Sequence, residues 1–304
     1  MKIVVAGGSG GLGRRVCADL DARGHDIVVL TRTVRQNSAY RQVEWDGRTV
    51  GSWAAELAGA ALINLCGAIV DRSPTPANIE LLTRSRVEPT TALMRAADGL
   101  ETPLVSWIQM STLAIYGDAG DAVLDESAKP AGGPAQMPGV ARPWEEAAAG
   151  ARAARQVILR TGIVLDPATP AMRRLTGLVR LGLGGRIGTG NQWVSWLHFA
   201  DFQAIVRACL DDEALSGIVH ATSPNPVTNT ELMSALRHVL HRPAAPPTPA
   251  WLLRLGAFFA GSDPALALTG RRCVPGALTR AGFGFAFPDL DQALRNLLAS
   301  GSNP

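Results

Sequence analysis

Lys2-Ile3-Val4-Val5-Ala6-Gly7-Gly8-Ser9-Gly10-Gly11-Leu12-Gly13 decides the fold. An apolar, partly β-branched run ends in glycines, a helix-like stretch follows over residues 14–23, and a second apolar run occupies 26–30. Strand, glycine turn and helix in that order make a dinucleotide-binding entrance. Gly7 lets the chain turn tightly off the strand, Gly10 lets the backbone approach a pyrophosphate, and Gly13 lets the helix pack closely. The N–H groups at the helix start then face the phosphates. The expected cofactor-binding set at this end is Gly7, Ser9, Gly10, Gly11, Leu12 and Gly13. The competing reading, a glycine-rich turn with no ligand, lacks a reason for the flanking strand and helix.

The second run ends Val28-Val29-Leu30-Thr31-Arg32, where an NAD-selective protein places an acid on the ribose 2′-hydroxyl. No acid stands there. Arg32 offers a planar fork that matches a 2′-phosphate, so NADP(H) is the expected cofactor, with Arg35 as a helper. The alternative makes Arg32 a solvated loop arginine.

Composition narrows the classes. A chain of 304 residues, 47% hydrophobic and 18% charged, can bury one large α/β core and a smaller one. The net charge is only +3 and the arginines are dispersed, which gives no indication of a nucleic-acid role. Cys17, Cys66, Cys209 and Cys273 lie far apart without metal-ligand spacing and read as reduced, buried thiols, so no metal is expected. No apolar run reaches the roughly 18 residues of a membrane span, and the chain enters a strand at once. A cytoplasmic location, no signal peptide and no membrane partner are the expectations.

Short β-like runs at residues 2–6, 27–30, 61–65, 106–110, 157–159 and 218–221 alternate with helix-length segments. This rhythm predicts an α/β fold, a Rossmann-type doubly wound parallel sheet, with a smaller C-terminal substrate lobe. Asp166-Pro167-Ala168-Thr169-Pro170 breaks the pattern, residues 181–190 are too glycine-rich for a helix interior, and 242–249 are rich in proline. The glycine-rich stretch is expected as a loop over the cofactor face. The nucleotide-binding domain is expected over residues 1–165, continued by 195–222. The substrate-side lobe is expected over 166–194 and 223–304.

Further segments recur in a telling order: Ile63-Asn64-Leu65-Cys66-Gly67-Ala68, Ser85-Arg86-Val87-Glu88, Ile115-Tyr116-Gly117-Asp118, Trp144-Glu145, Leu159-Arg160-Thr161-Gly162-Ile163-Val164-Leu165, Gln192-Trp193-Val194-Ser195-Trp196-Leu197-His198 with Asp201, and Ala281-Gly282-Phe283. With the Gly-x-x-Gly-x-x-Gly entrance, they resemble the atypical extended short-chain dehydrogenase/reductase group called "epimerase family", whose members carry a small additional C-terminal domain. The resemblance implies that Leu65, Cys66 and Gly67 pass the adenine ribose, that Asp46 approaches the adenine, and that Arg86 lines the cofactor cleft. It adds Arg160 to the cofactor-binding set. Cys66 also reads as a buried core thiol and Arg86 as a surface helix arginine. Extended members are often dimeric, so a homodimer is compatible with the resemblance.

Catalysis in that superfamily uses a Ser or Thr, then a Tyr and a Lys four residues apart. Here the tyrosines are Tyr40 and Tyr116 and the lysines Lys2 and Lys129, and no pair has that spacing. Aligning Trp144-Glu145 with the usual helix puts Met137 and Ala141 at the Tyr and Lys positions, and neither moves a proton. Ser111 and Tyr116 are the remaining catalytic candidates, Ser111 to hold a substrate oxygen and Tyr116 as the one phenolic acid. Tyr116 also reads as a pocket wall, Glu145 as another candidate acid or base or as a helix glutamate that caps or pairs locally, His198-x-x-Asp201 as a proton-handling pair or as structural, and Trp193 and Trp196 as pocket walls. Two functions stay open: an NADP(H)-dependent oxidoreductase or epimerase on a small carbonyl or hydroxyl substrate, or a catalytically degenerate NADP(H)-binding sensor or scaffold. An epimerase must also deprotonate an alcohol, for which this chain is poorly equipped.

Overall fold

The computed structural model describes residues 1–132 and 137–299; residues 300–304 of the expected lobe lie outside them. Seven strands form one parallel sheet: β1 Lys2–Ala6, β2 Asp26–Thr31, β3 Arg41–Glu44, β4 Ala61–Asn64, β5 Ser106–Thr112, β6 Gln156–Thr161 and β7 Gly217–Ala221. Their spatial order is β7-β6-β5-β4-β1-β2-β3. Winding reverses between β1 and β4, which opens a crevice outside the carboxyl ends of the strands.

Around the sheet stand helices α1 Gly11–Asp21, α2 Pro76–Asp98, α3 Pro138–Glu146, α4 Pro170–Arg180, α5 Phe199–Asp211, α6 Asn229–Val239 and α7 Ala250–Ala260, with a C-terminal helix at Leu290–Ala299. The central strands are apolar almost throughout because both faces are covered. Ile3, Val5, Val29 and Ile63 pack with Val16 and Leu20 of α1 and Phe202 and Val206 of α5. Val4, Val28, Leu62 and Trp107 pack on the opposite face with Leu93 and Ala97 of α2. α2 begins where the sequence dictates: the Thr75 hydroxyl accepts the Asn78 N–H, and Pro76 fills the first turn, where no N–H is needed.

A separate core gathers Met172 and Val179 of α4, Leu232 and Leu236 of α6, and Leu290 and Leu294 of the C-terminal helix around Trp196. Trp196 is fully buried there and donates its indole N–H to the Asn225 carbonyl, so it is a core residue rather than a pocket wall. The glycine-rich stretch 181–190 lies along the proline strap. Thr248 N donates to Arg186 O at 2.8 Å and Gly188 N to Thr248 O at 2.9 Å. A Cβ on Gly185 would stand 1.8 Å from the Pro246 carbonyl oxygen, which is why glycine is required there.

His198 and Asp201 bind this assembly to α5. His198 Nδ1 accepts the Ala200 N–H at the helix start, and its ring stacks 3.8 Å from Phe287. The buried Asp201 carboxylate accepts the N–H groups of Ala286 and Phe287 at 2.8 and 3.0 Å. Replacing it with alanine orphans two donors at once. Asp201→Ala is expected to cost about 2–4 kcal/mol, read as a lower urea midpoint with an unchanged m-value.

Candidate cofactor and proton-transfer site

The crevice begins at Gly7, whose φ of +84° is open to glycine and strained for other residues. A Cβ there would meet the Leu65 carbonyl carbon at 2.8 Å and Cys66 N at 3.0 Å, and one on Gly13 would stand 2.3 Å from the Gly7 carbonyl oxygen. Gly13 therefore seats α1 against the turn itself. No side chain caps α1 at Gly10 and its first turn holds no acid, so its leading N–H groups are available to an anion. A Cβ on Gly11 would meet nothing, which leaves room on the outer side of the turn.

Beyond β2 lies a cleft of about 300 Å³ lined by Gly8, Ser9, Arg14, Arg35, Ser38 and Tyr40, among others. Arg35 and Arg14 bring two guanidinium groups to it; Arg14 reaches the Ser9 carbonyl at 3.4 Å. Arg32 is exposed at the strand end, outside the cleft lining, and acts electrostatically on Cys66. Arg35 N donates to Gln42 Oε1 at 2.7 Å, and among the described residues neither the Arg32 nor the Arg35 guanidinium has an ion-pair or hydrogen-bond partner. Arg14 was not singled out in the sequence because it reads as an ordinary helix residue.

Asp46 is exposed and caps its own turn, accepting from Arg48 N, Thr49 N and the Thr49 hydroxyl. Those bonds hold its carboxyl down at about 2. Leu65 donates its N–H to Ala6 O at 2.8 Å, which pins the β4 loop against Gly7. Burial pushes the Cys66 thiol up to about 12, partly offset by Arg32 and Arg86, so it is an inert packing group. Arg86 is buried: it donates to the Leu82 and Ala68 carbonyls and lies 5.1 Å from the Trp144 ring. It clamps the Gly67-Ala68 loop, and a Cβ on Gly67 would stand 2.9 Å from its guanidinium carbon.

Deeper along the sheet, β5, β6 and β7 bring five polar side chains together. Glu145, near the end of α3, accepts Arg160 Nε at 2.9 Å and Nη2 at 2.7 Å, a bidentate pair, and Ser111 donates to the same carboxylate at 2.5 Å. Arg160 Nη1 donates to the Tyr116 oxygen at 2.7 Å, and that oxygen lies 2.7 Å from His220 Nε2. The Thr112 hydroxyl caps the short turn Leu113–Tyr116 by accepting Ala114 N, which aims the phenol inward. His220 Nδ1 is 3.0 Å from the Val274 carbonyl, an acceptor only. In neutral His220 the proton therefore sits on Nδ1, and Nε2 accepts the Tyr116 O–H.

The electrostatics follow from burial. Tyr116 is 4% exposed and Arg160 3%. Desolvation pushes the Tyr116 phenol up to about 12, with Arg160 pulling against it. Desolvation opposes the Arg160 charge too, yet its bonds to Glu145 and Tyr116 carry it above its ordinary value. Burial and Arg160 hold His220 below the usual imidazole range, although Glu126 and the Val274 carbonyl pull the other way. Arg160 thus stands with the phenol and away from the nucleotide turn; Met137 and Ala141 are buried. His220 was missed because it lies 104 residues from Tyr116 in the chain.

The sequence profile of the NAD dependent epimerase/dehydratase family matches residues 3–219. This chain belongs to that family. Residues 248–297 of this family member match a second profile, described as a domain of unknown function, DUF1731. The chain is 33% identical over 296 residues to the epimerase family protein Mb2239 of Mycobacterium bovis, covering 96% of each. It is 31% identical over 306 residues to the Bos taurus epimerase family protein SDR39U1, covering 98% of this chain and all of the other. A crystal structure of human SDR39U1 (isoform2) with NADPH superposes with a TM-score of 0.87 at 27% identity, covering 98% of this chain and 99% of that one.

The two tyrosines of this family member make the phenol directly measurable. In a Tyr40→Phe background, absorbance at the phenolate band is expected to titrate near 12 rather than 10. Because the folded value is raised, the linked stability is fully present below about pH 10 and is lost as pH rises through about 12. Arg160→Met is expected to move the midpoint higher still, since the cation is what favours the phenolate.

Proposed function

We propose that this chain binds NADP(H) and exchanges hydride with a small carbonyl or hydroxyl compound, Tyr116 serving as proton partner. The observation that carries the cofactor assignment is the acid-free end of β2, where Arg32, Arg35 and Arg14 present guanidinium groups beside a cleft lined by Ser9 and Ser38. A 2′-phosphate fits that charge; a bare 2′-hydroxyl leaves it unanswered. The N–H groups at the start of α1 take the pyrophosphate, and the glycine cradle admits it. Bound cofactor supplies or removes the hydride.

His220, 2.7 Å from the Tyr116 oxygen, supports a base for the step. As a substrate hydroxyl gives its proton to the Tyr116 oxygen, the phenol gives its own to His220 Nε2. Arg160 stabilises phenolate character at the same oxygen, the role a lysine has elsewhere in the superfamily. In the reducing direction Tyr116 donates and an imidazolium at His220 restores its proton. Glu145 keeps Arg160 in place and charged, and Ser111 braces Glu145.

A second reading is favoured by the closure of the cluster: Ser111, Tyr116, Arg160 and His220 are buried and satisfy one another. On that reading the chain binds NADP(H) and reports it without turnover. Calorimetric titration decides the cofactor: NADPH is expected to bind more tightly than NADH, and Arg32→Ala or Arg35→Ala to weaken NADPH by about 1.5–3 kcal/mol while leaving NADH unchanged. Equal affinity for both nucleotides overturns the assignment. With a panel of small ketones and aldehydes, Tyr116→Phe is expected to slow NADPH oxidation by about 100-fold. Binding without turnover of any of them supports the reporter reading.

A further inference from the structure

α7 reads Ala250-Trp251-Leu252-Leu253-Arg254-Leu255-Gly256-Ala257-Phe258-Phe259-Ala260 and holds a single charge. A helix apolar on every side belongs in a core or in lipid. Here Ala257 is its one buried residue, while Trp251, Phe258 and Phe259 are 66%, 76% and 79% exposed and Leu252 and Leu255 nearly half so. At about 1.5 Å per residue, α7 is roughly half the ~30 Å thickness of a bilayer's hydrocarbon core, so it can lie along a surface and not cross one.

α4 extends the same face. Its start approaches the end of α7 through Asp71, which takes Arg174 on one side and Ser262 on the other. Its far end leads to Gly185 against Pro246, and Gly188 lies beside Ala250 at the start of α7. The two helices are therefore tied together at both ends and run antiparallel, and to this face come the exposed Leu178 of α4 and, just past its end, Leu181 and Leu183.

The charges around these side chains are mostly of one sign: Asp71 is engaged by Arg174 and Ser262, and Asp263 is buried. Residues 167–200 and 232–262 contain seven arginines and no aspartate or glutamate. Six of them, Arg173, Arg174, Arg180, Arg186, Arg242 and Arg254, are exposed. Among the described residues the guanidinium groups of Arg173, Arg180, Arg242 and Arg254 have no ion-pair or hydrogen-bond partner. A second copy of this face would set arginine against arginine, which opposes self-association. Aromatic and leucine side chains rimmed by unpaired arginines match a surface that is apolar inside and anionic outside.

We propose that the α4–α7 face docks on an anionic lipid bilayer, with Trp251, Phe258 and Phe259 entering the headgroup and acyl boundary and the arginines meeting lipid phosphates. Docking places no demand on crossing the membrane, and among the described residues no helix is long and apolar enough to cross. The proposal is independent of the cofactor and of turnover.

The test is co-sedimentation of the full chain with vesicles of phosphatidylcholine containing about one part in four phosphatidylglycerol, against pure phosphatidylcholine. Binding is expected to the anionic vesicles, at least about tenfold tighter than to neutral ones and weakened by added salt. Phe258→Ser with Phe259→Ser is expected to lower it about tenfold or more. Arg173→Glu, Arg180→Glu and Arg254→Glu together are expected to lower it about 100-fold, from roughly fivefold for each arginine lost. All these side chains are exposed, and NADPH titration of each variant reports whether the nucleotide end still folds. No sedimentation with anionic vesicles at low salt, or equal sedimentation of wild type and both variants, overturns the proposal. So does a dimer in solution that the phenylalanine variant dissolves while neither form binds vesicles, which makes this face a subunit interface.

Discussion

Backbone meets backbone at Gly7, and the architecture is organised around that contact. The turn after β1 touches the carbonyl of Leu65 on one side and the first turn of α1 on the other, with less than a side chain's clearance at either. Three elements that must converge for a dinucleotide to bind, the β1 turn, the α1 start and the β4 loop, are thereby fixed against one another. The same closeness leaves the α1 N–H groups without protein partners. The binding capacity of the crevice and the tightness of its packing have one cause.

From that point charge is distributed in two directions. Toward β3, guanidinium groups remain unpaired beside an open cleft. Toward β7, Arg160 is consumed by a carboxylate and a phenol and buried. Isolated burial of a guanidinium is costly, so Glu145 and Tyr116 are the condition for Arg160 being there. Arg86, between the Gly67-Ala68 loop and Trp144, spans from the nucleotide side to α3, which carries Glu145.

Six of the seven strands were legible because each apolar run is itself the cause of burial on two faces, whereas the edge strand β3, Arg41-Gln42-Val43-Glu44, has no apolar run to mark it; the Gly-x-x-Gly-x-x-Gly turn was legible because its spacing is local. The missing acid after β2 was equally plain, since one position decides it. The five-residue cluster around Tyr116 was not. Glu145 and Arg160 are 15 residues apart, Tyr116 and Arg160 44, and Tyr116 and His220 104, so only the parallel order β5-β6-β7 makes them neighbours. Local reading also misplaced Trp196: a tryptophan beside glycines and another tryptophan suggests a pocket wall, whereas the core around α4 and α6 claims it. The turn-capping bonds of Asp46 to Arg48 and Thr49 were likewise not read from the sequence.

The contact of Gly185 with the Pro246 carbonyl has a mechanical meaning. A seam with no room for a methyl group holds the segment leading into α7 directly against the stretch that follows α4. Whatever fixes the attitude of α7 in space fixes that of α4 with it, and through the shared core around Trp196 that of α6 and the C-terminal helix. A load taken up at α7 therefore reaches the core around Trp196 through the Gly185 seam and α4.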